Sequence, residues 1–521
     1  MPDSRLTFAW LSRLAFALSI IFAITLAGCT VSQTNDQQLV AQVGGKDITV
    51  NDFRFNYEFG LPHLKKGNDP KRIYLDYLIG EELLAMAGYS MNLDKLDRVV
   101  KLEEDLLEEL LVEELFRQEV HNKISITREE IDEAIRQSKV KWKLRYWAES
   151  NLDFANSISA TMREEGYAEV VDAIMGSNPE IGIKPADLET GYLSVMDVTP
   201  ELLEVIVNLP VGDISAPIEI NGLYFIFQII DIKQDPLIAD ELQNSADRYR
   251  QMLFYRKVKE GSVQFVSQYM TPKNVTTKGE SFRLLVNATL EWASFSKNSS
   301  GDFLEAVQSA TDKSSAIFDL QKNLDQTLVT FSGGQWTLRD FLGRYDVGSA
   351  NIDIKDRQAI LAIMNDEIAL EVRNYFFINN ALKRKLDHAQ NLQRELGSWR
   401  DKWVYEAARD YYTRDLRITS SQVEDYFAQN KHKYMIRSAI EPTFEKFAKQ
   451  ARRDAYIKDA QKILTHKIDS LKAVYPVIIN QAVLDCINVT SSQKSRWLSV
   501  QVFKQSSNRM AKPIVDPAWG L

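Results

Sequence analysis

Residue types that carry enzyme chemistry are sparse in this chain of 521 residues. No pair of histidines has the spacing of metal ligands, and the chain lacks phosphate-binding glycine loops and the nucleophile elbow G-x-S-x-G. The glutamate pairs Glu103-Glu104 and Glu108-Glu109 fit the solvated face of a helix better than a catalytic dyad. A net charge of −9 argues against nucleic-acid binding, which needs a basic face. We therefore expect no metal and no cofactor. The histidines are His63, His121, His388, His432 and His466.

Cys29 has a chemical context that the rest of the chain does not repeat. Two arginines precede an apolar run from Leu14 to Leu26, which is shorter than the ~20 residues of a membrane span. The run ends in Leu26-Ala27-Gly28-Cys29, which resembles the lipobox of bacterial lipoproteins. We therefore expect residues 1–28 to be a cleaved signal peptide and Cys29 to be the site of lipid attachment. An N-terminal transmembrane anchor is the alternative.

Lipid on Cys29 has two consequences. The next residue is Thr30, whereas the resemblance to lipoproteins associates an aspartate there with retention in the inner membrane, so the outer membrane is favoured. Residues 30–39 are polar and predict a flexible tether. Cys486 is left without an intrachain partner, and its apolar surroundings predict a small buried hydrophobe.

The first part of the mature chain predicts a hairpin followed by helices. Strand-like residues flank Gly44-Gly45, which fits a two-residue turn, and Asn51 or Asp52 is expected to cap the next helix. Further helices are expected from about Pro70 to Gly88, from Leu93 to His121 and from the capping box Thr127-Arg128-Glu129-Glu130.

This order of elements recurs later in the chain. Leu328 to Phe341 repeats the hairpin and helix start of Val43 to Phe53, and Ile418 to Phe427 echoes Ile126 to Ile135. The two matches are offset by 289 and 292 residues, which indicates an internal duplication of one helical module. Two unrelated helical segments with generic caps are the alternative.

Residues 140–235 have a different character. Lys141 to Trp147 alternate with period two, and Leu223 to Ile232 form a continuous apolar run typical of a central strand. Helical patterns at 151–166, 167–176 and 200–208 complete a small α/β domain. The expected fold class is therefore α+β and predominantly helical, with a duplicated helical module and one inserted α/β domain.

Two motifs in this insert carry a family resemblance. Residues 209–218, LPVGDISAPI, are similar to the parvulin stretch L-x-x-G-x-[IV]-S-x-P-[IV]. Residues 221–226, NGLYFI, match the final-strand pattern x-G-[YW]-H-I-I. Together with the preceding helical module, they make the chain resemble the SurA/PpiD/PrsA group of extracytoplasmic chaperones with parvulin-type peptidyl-prolyl isomerase domains. The resemblance covers 41–270 and, more loosely, 327–489.

The resemblance implies a domain organisation with one isomerase-like insert, because the second copy lacks the motif. The expected segments are 1–28 (signal peptide), 29–40 (lipidated tether), 41–139 (SurA-N-like helical module), 140–235 (parvulin-like domain), 236–326 (helical connector), 327–435 (second SurA-N-like module), 436–490 (closing helical segment) and 491–521 (polar, poorly ordered tail).

The parvulin-like domain departs from its family at the positions that carry chemistry. Where the family has two facing histidines, this chain has Tyr146 and Tyr224, and residues 140–235 contain no histidine or cysteine. The resemblance also assigns Leu202 to the pocket. Isomerisation crosses a barrier of ~18–20 kcal/mol without breaking a bond, so it needs an apolar slot and tuned hydrogen bonds. Tyrosines titrate far from neutral pH, and we expect a degenerate, inactive parvulin.

The resemblance implies a membrane-tethered, ATP-independent chaperone whose clients are unfolded secreted or outer-membrane polypeptides. One alternative is an active peptidyl-prolyl isomerase. Another is a structural or adaptor lipoprotein subunit of an envelope complex. A pull-down from solubilised envelope separates the last from a chaperone, since an adaptor has one stoichiometric partner and a chaperone has many clients.

Overall fold

The structure is a computed structural model that describes residues 35–177, 185–195, 197–220, 222–236, 245–296, 303–347, 357–435, 442–489 and 510–519. The predicted signal peptide and Cys29 lie outside these residues. The predicted fold class, α+β and predominantly helical, is confirmed. Within the described ranges, no helix is both long and apolar enough to cross a bilayer, and no three potential metal ligands cluster.

The first half of the chain forms a hairpin, four helices, a four-stranded sheet domain and a long helix. In chain order the elements are β1 (Leu39–Val43), β2 (Lys46–Thr49), α1 (Val50–Phe59), α2 (Pro70–Ser90), α3 (Asp97–Glu119), α4 (Arg128–Gln137), β3 (Val140–Glu149), α5 (Leu152–Glu165), α6 (Tyr167–Gly176), β4 (Glu189–Leu193), α7 (Pro200–Asn208), β5 (Ile218–Ile220), β6 (Leu223–Gln234) and α8 (Ala246–Met270).

The second half repeats the hairpin and helices without a second sheet domain in its described residues. In chain order the elements are β7 (Thr276–Thr277), α9 (Gly279–Ser296), α10 (Phe303–Gln308), α11 (Ala316–Lys322), β8 (Thr327–Phe331), β9 (Gly334–Thr337), α12 (Leu338–Leu342), α13 (Arg357–Lys383), α14 (Gln390–Thr413), α15 (Ser420–Gln429), α16 (Phe444–Lys472), β10 (Val477–Ile479) and α17 (Gln481–Cys486).

Matching helix caps support the duplication. Thr127 caps α4 in a capping box with Glu130, as predicted, and Thr419 caps α15 in the same way. The helix α1 is capped by Thr49, not by Asn51 or Asp52, because the Asp52 side chain reaches back to the threonine. The same threonine–aspartate box starts α12 after the second hairpin.

The described residues form two compact units. Unit 1 comprises the residues up to Val112 and those from Ile378 onwards, and unit 2 runs from Glu113 to Phe377. Each unit therefore combines elements from both predicted copies of the helical module.

The sheet of unit 1 contains strands from opposite ends of the chain. Its order is β10-β1-β2, with Ala41 opposite Ile479 and Val43 opposite Val477. The turn between β1 and β2 needs positive φ angles, 54° at Gly44 and 92° at Gly45, which glycine adopts without strain. Thus the closing strand of the second copy completes the hairpin of the first.

Helices α2, α14 and α16 cover this sheet with a single apolar core, to which Leu75, Leu83 and Leu464 belong. Helices α2 and α14 approach closely at Gly88. A Cβ atom there would lie 2.6 Å from Cγ1 and 3.0 Å from the carbonyl oxygen of Val404, so no larger residue fits without displacing the backbone.

Unit 2 shows the reciprocal strand arrangement. Its three-stranded sheet has the order β7-β8-β9, in which Thr276 lies opposite Thr330 and Thr277 opposite Val329. Strand β7 follows the closing helix α8 of the first copy, whereas β8 and β9 form the hairpin of the second. The two copies have therefore exchanged their closing strands.

Two expectations about the C-terminal part are wrong. The tail was expected to be polar and poorly ordered, but Met510–Trp519 packs into unit 1, with Val515 fully buried and Trp519 in the core. The apolar residues of the tail follow a polar stretch, so the average composition of the tail did not indicate that they are buried. Cys486 was expected to be buried, but it is half-buried at the end of α17.

The pairing of β10 with β1 can be tested at Ile478, whose side chain is 63% exposed. Ile478 lies opposite Gln42, between the bonds that join Gly44 to Pro476 and Asn480 to Val40, so its N–H faces β1. Ile478→Pro should lower the free energy of unfolding by about 1–3 kcal/mol in urea, because it removes this donor. Ile478→Ala is the matched control. Equal losses for both variants would contradict the pairing.

Candidate functional site

The four-stranded sheet of unit 2 and the helix α7 that covers it contain all the residues that the sequence assigned to a pocket. The order of the sheet is β4-β3-β6-β5, and β3 and β6 are antiparallel over their whole length, from Val140 opposite Gln234 to Glu149 opposite Tyr224. Residues of β3 and β6 therefore alternate between two faces, one covered by α7 and the other by α5 and α6.

The face beneath α7 is apolar. Helix α7 begins at Thr199, whose side chain accepts a hydrogen bond from the backbone N–H of Leu202, and Pro200 fits its first turn. Leu202 and Ile206 then point at the sheet, where they pack on Leu144 and Phe227. The partly buried residues around this core are Val140, Tyr146, Leu193, Leu203, Leu209, Ile218, Ile220 and Phe225. We refer to this face and its rim as the α7 slot.

The parvulin-like motif at 209–218 has a structural role. The N–H of Gly212 donates to the carbonyl of Ile229 at 2.8 Å, which the positive φ of 92° at Gly212 makes possible. Ser215 is buried, donates its N–H to the carbonyl of Phe227 and accepts the Phe227 N–H at its Oγ, at 2.8 and 2.9 Å. Ser159 of α5 donates to the Ser215 carbonyl at 2.8 Å. The motif therefore fixes the segment before β5 along β6.

The predicted pocket residues are only partly brought together. Tyr146 and Leu202 both belong to the α7 slot. Tyr224 does not share that face. It lies opposite Glu149, whereas Tyr146 lies opposite Phe227, and positions 224 and 227 are three residues apart on β6, so their side chains point to opposite faces. The facing arrangement expected for Tyr146 and Tyr224 is therefore absent.

Phe225 lies diagonally across from Tyr146 on the same face of the sheet. The two rings have their centroids 6.3 Å apart, and Phe225 in turn stacks on Phe227 at 5.9 Å. Phe225 was not among the predicted pocket residues, because the final-strand pattern, with its glycine at Gly222, places Tyr224 at the histidine position. Strand alternation is the signal that could have found it, since Tyr146 lies opposite Phe227 and Phe225 is two residues away on the same face.

Charged groups lie at the edge of the sheet, outside the slot. The carboxylate of Glu189 on β4 is held by Lys143 and Arg145, each at 2.8 Å, and these hydrogen bonds lower the pKa of Glu189. On the opposite face, burial raises the pKa of Tyr167, whose hydroxyl donates to the Tyr146 carbonyl at 2.8 Å. Neither group reaches the slot as an acid or a base near neutral pH.

The α7 slot is lined by apolar side chains, and its described residues provide no pair of groups for proton transfer. Tyr146 has a hydroxyl, whereas Phe225 cannot form a hydrogen bond through its side chain. Val207 and Val211 are exposed, at 60% and 54%, beside the buried residues of α7 and its following turn. An apolar slot with an exposed apolar rim suits a transient contact with an unfolded polypeptide.

Known structures similar to this chain include a SurA-like chaperone of Campylobacter jejuni, which is 17% identical, with a TM-score of 0.21 over 46% of this chain and 100% of its own. The PrsA peptidyl-prolyl isomerase of Bacillus anthracis is 15% identical, with a TM-score of 0.19 over 36% and 96%. That of Bacillus cereus is 14% identical, with a TM-score of 0.20 over 44% and 88%. No family model and no curated protein matches the chain. The predicted resemblance is confirmed: solved SurA-like chaperones and PrsA isomerases are among the structures to which this chain is similar.

Proposed function

We propose that this protein is an ATP-independent chaperone that holds unfolded polypeptides outside the cytoplasm. The observation that carries the proposal is the α7 slot, which combines an exposed apolar rim with an aromatic pair, Tyr146 and Phe225, that cannot exchange protons. Such a slot can bind a proline or another apolar side chain, but within its aromatic pair only Tyr146 can form a hydrogen bond to a twisted amide.

The clients are unfolded secreted or outer-membrane proteins. Valine and leucine side chains at the rim offer small, unspecific apolar contacts, and many weak contacts of this kind allow one surface to bind different sequences. Release then needs no nucleotide, because each contact is weak by itself.

The proposed location is the periplasmic side of the outer membrane, to which the lipid on Cys29 would attach the chain. One acyl chain binds a membrane only marginally, so a stable anchor needs at least two. The threonine at position 30 favours the outer membrane over the inner one. A tethered chaperone of this kind would meet its clients at the membrane surface.

The chain from Thr30 onwards should not accelerate prolyl isomerisation in a protease-coupled assay with proline tetrapeptides. Tyr146→Phe should leave that result unchanged, since the hydroxyl has no facing partner in the slot. Tyr224→Phe, on the other face of the sheet, is the matched control. A rate similar to that of an ordinary parvulin would contradict the proposed loss of activity and favour an isomerase.

The same chain should suppress the aggregation of a chemically unfolded client, followed by light scattering without nucleotide. Val207→Asp with Val211→Asp should weaken client binding about tenfold or more, because burying one valine contributes about 1.5–3 kcal/mol. Val474→Asp is the control, since Val474 is exposed in unit 1. Equal potency of the slot variant and the control would contradict the role of the slot.

Full-length protein expressed in a diderm bacterium should fractionate with the outer membrane, and mass spectrometry should find acyl groups on Cys29. Cys29→Ser should release the protein from the membrane fraction, whereas Cys486→Ser, the matched control, should leave it there. An unmodified Cys29, or one joined to Cys486 in a disulfide, would contradict the proposed anchor.

A further inference from the structure

A groove of unit 1 holds the segment Met510–Trp519, which we call the tail segment. The groove is formed by α1, α2, α14 and α16, and the tail segment has neither helix nor extended strand and ends in a turn at Trp519. It is joined to the preceding part of unit 1 through residues that lie outside the described ranges. The contacts within the groove resemble those of a bound peptide more than those of a packed secondary-structure element.

The groove contacts the main chain of the tail segment at several points. Asn56 accepts the N–H of Val515 at 3.2 Å, and Glu81 accepts the N–H of Asp516 at 2.6 Å. The ring of His63 lies 2.8 Å from the carbonyl oxygen of Pro517, and Gln461 donates to that of Ala518. Contacts with backbone groups are available to any peptide sequence, which is how extended polypeptides are commonly recognised.

Three side chains of the tail segment add specificity. Val515 is fully buried in the apolar core of unit 1. The Asp516 carboxylate accepts a hydrogen bond from Tyr405 at 3.0 Å and pairs with Arg409. The Trp519 ring stacks on Tyr77, with centroids 5.8 Å apart and planes 15° apart.

Buried charged groups of the groove form hydrogen bonds and ion pairs with the tail segment or with each other. Besides the Asp516 N–H, the Glu81 carboxylate accepts the indole N–H of Trp519 at 3.0 Å, and Lys402 neutralises it at 2.7 Å. Burial acts to raise the pKa of Asp516, but the N–H of Ala518 and the Arg409 guanidinium outweigh it and lower that pKa. Asp516 is therefore ionised when it is bound.

The tail segment does not fill the groove. A cavity of about 410 Å³ lies beside it, lined by Lys512, Pro513 and Ile514 of the tail together with residues of α2 and α14 such as Glu81 and Tyr405. This space is partly open to solvent, so the groove has room for an occupant bulkier than the tail segment.

We propose that this groove is a peptide-binding site that the tail segment occupies in cis. Its ligands in trans are unfolded polypeptide segments that carry an aliphatic residue, an aspartate directly after it and an aromatic residue three positions beyond the aspartate. The inference rests on the proposed chaperone function, since it names a class of client segment.

The test compares the chain from Thr30 to Leu521 with a variant that ends at Arg509, using a fluorescent peptide with the sequence of residues 510–521. The truncated chain should bind the peptide, and the longer chain at least a hundredfold more weakly. A tethered competitor acts at an effective concentration on the order of millimolar, so it keeps the groove closed. Peptides with Asp516→Asn or Trp519→Ala should bind more weakly than the parent peptide.

A second variant keeps the proposal testable if the truncated chain does not fold. Trp519→Ala in the longer chain removes the ring on Tyr77 and should open the groove, so the labelled peptide should bind at least tenfold more tightly than to the parent. Phe154→Ala, which removes an exposed ring of unit 2, is the control and should bind like the parent. Folded variants that do not bind the peptide would overturn the proposal. The proposal would also be overturned if both variants were unfolded and added peptide did not restore their fold.

The outcome for the groove is separable from that for the chaperone function. Suppression of client aggregation by the longer chain, together with no peptide binding by folded variants, would overturn the groove and leave the chaperone function standing. Peptide binding without any suppression of aggregation would support the groove as a peptide site and contradict the chaperone function.

Discussion

The exchange of closing strands between the two copies is the constraint on which both units depend. A two-stranded hairpin is at best marginally stable in water, so each hairpin needs a third strand. The hairpin of the first copy takes it from Val477–Ile479, and the hairpin of the second takes it from Thr276–Thr277. Neither copy can therefore complete its sheet without the other. Unit 1 also cannot close until both ends of the chain are present, and such long-range pairing is slow and exposes strand edges during folding.

The two copies of the helical module differ in whether the sheet domain is inserted. In the first copy the domain is inserted between α4 and α8, which still pack together through Ile131, Ile135 and Leu253. In the second copy no such domain intervenes, and the corresponding helices α15 and α16 pack through Val423 and Ala451. One type of helix pair forms with and without the insert, so the insert can diverge in sequence without loss of the modules.

Local features were predicted from the sequence, and contacts between distant segments were not. The hairpin at Gly44-Gly45 and the capping box at Thr127 are determined by neighbouring residues, so their patterns can be read directly. The strand exchange has no such local signal, since the residues around Ala41 do not indicate that it pairs with Ile479. The tail segment was missed for a related reason: Val515 and Trp519 become core residues only through a groove made by other helices.

The motif that carries the parvulin resemblance and the positions that would carry catalysis are separate parts of the same sheet domain. Gly212 and Ser215 hold the segment before β5 along β6 through backbone bonds, and they would do so whatever side chains filled the slot. Catalysis would instead depend on the side chains of the slot, where Tyr146 lies diagonally across from Phe225. A chain can therefore keep the motif, and with it the apolar slot, while losing the hydrogen-bonding pair. Under the proposed function, the binding of unfolded segments depends on the slot and not on that pair.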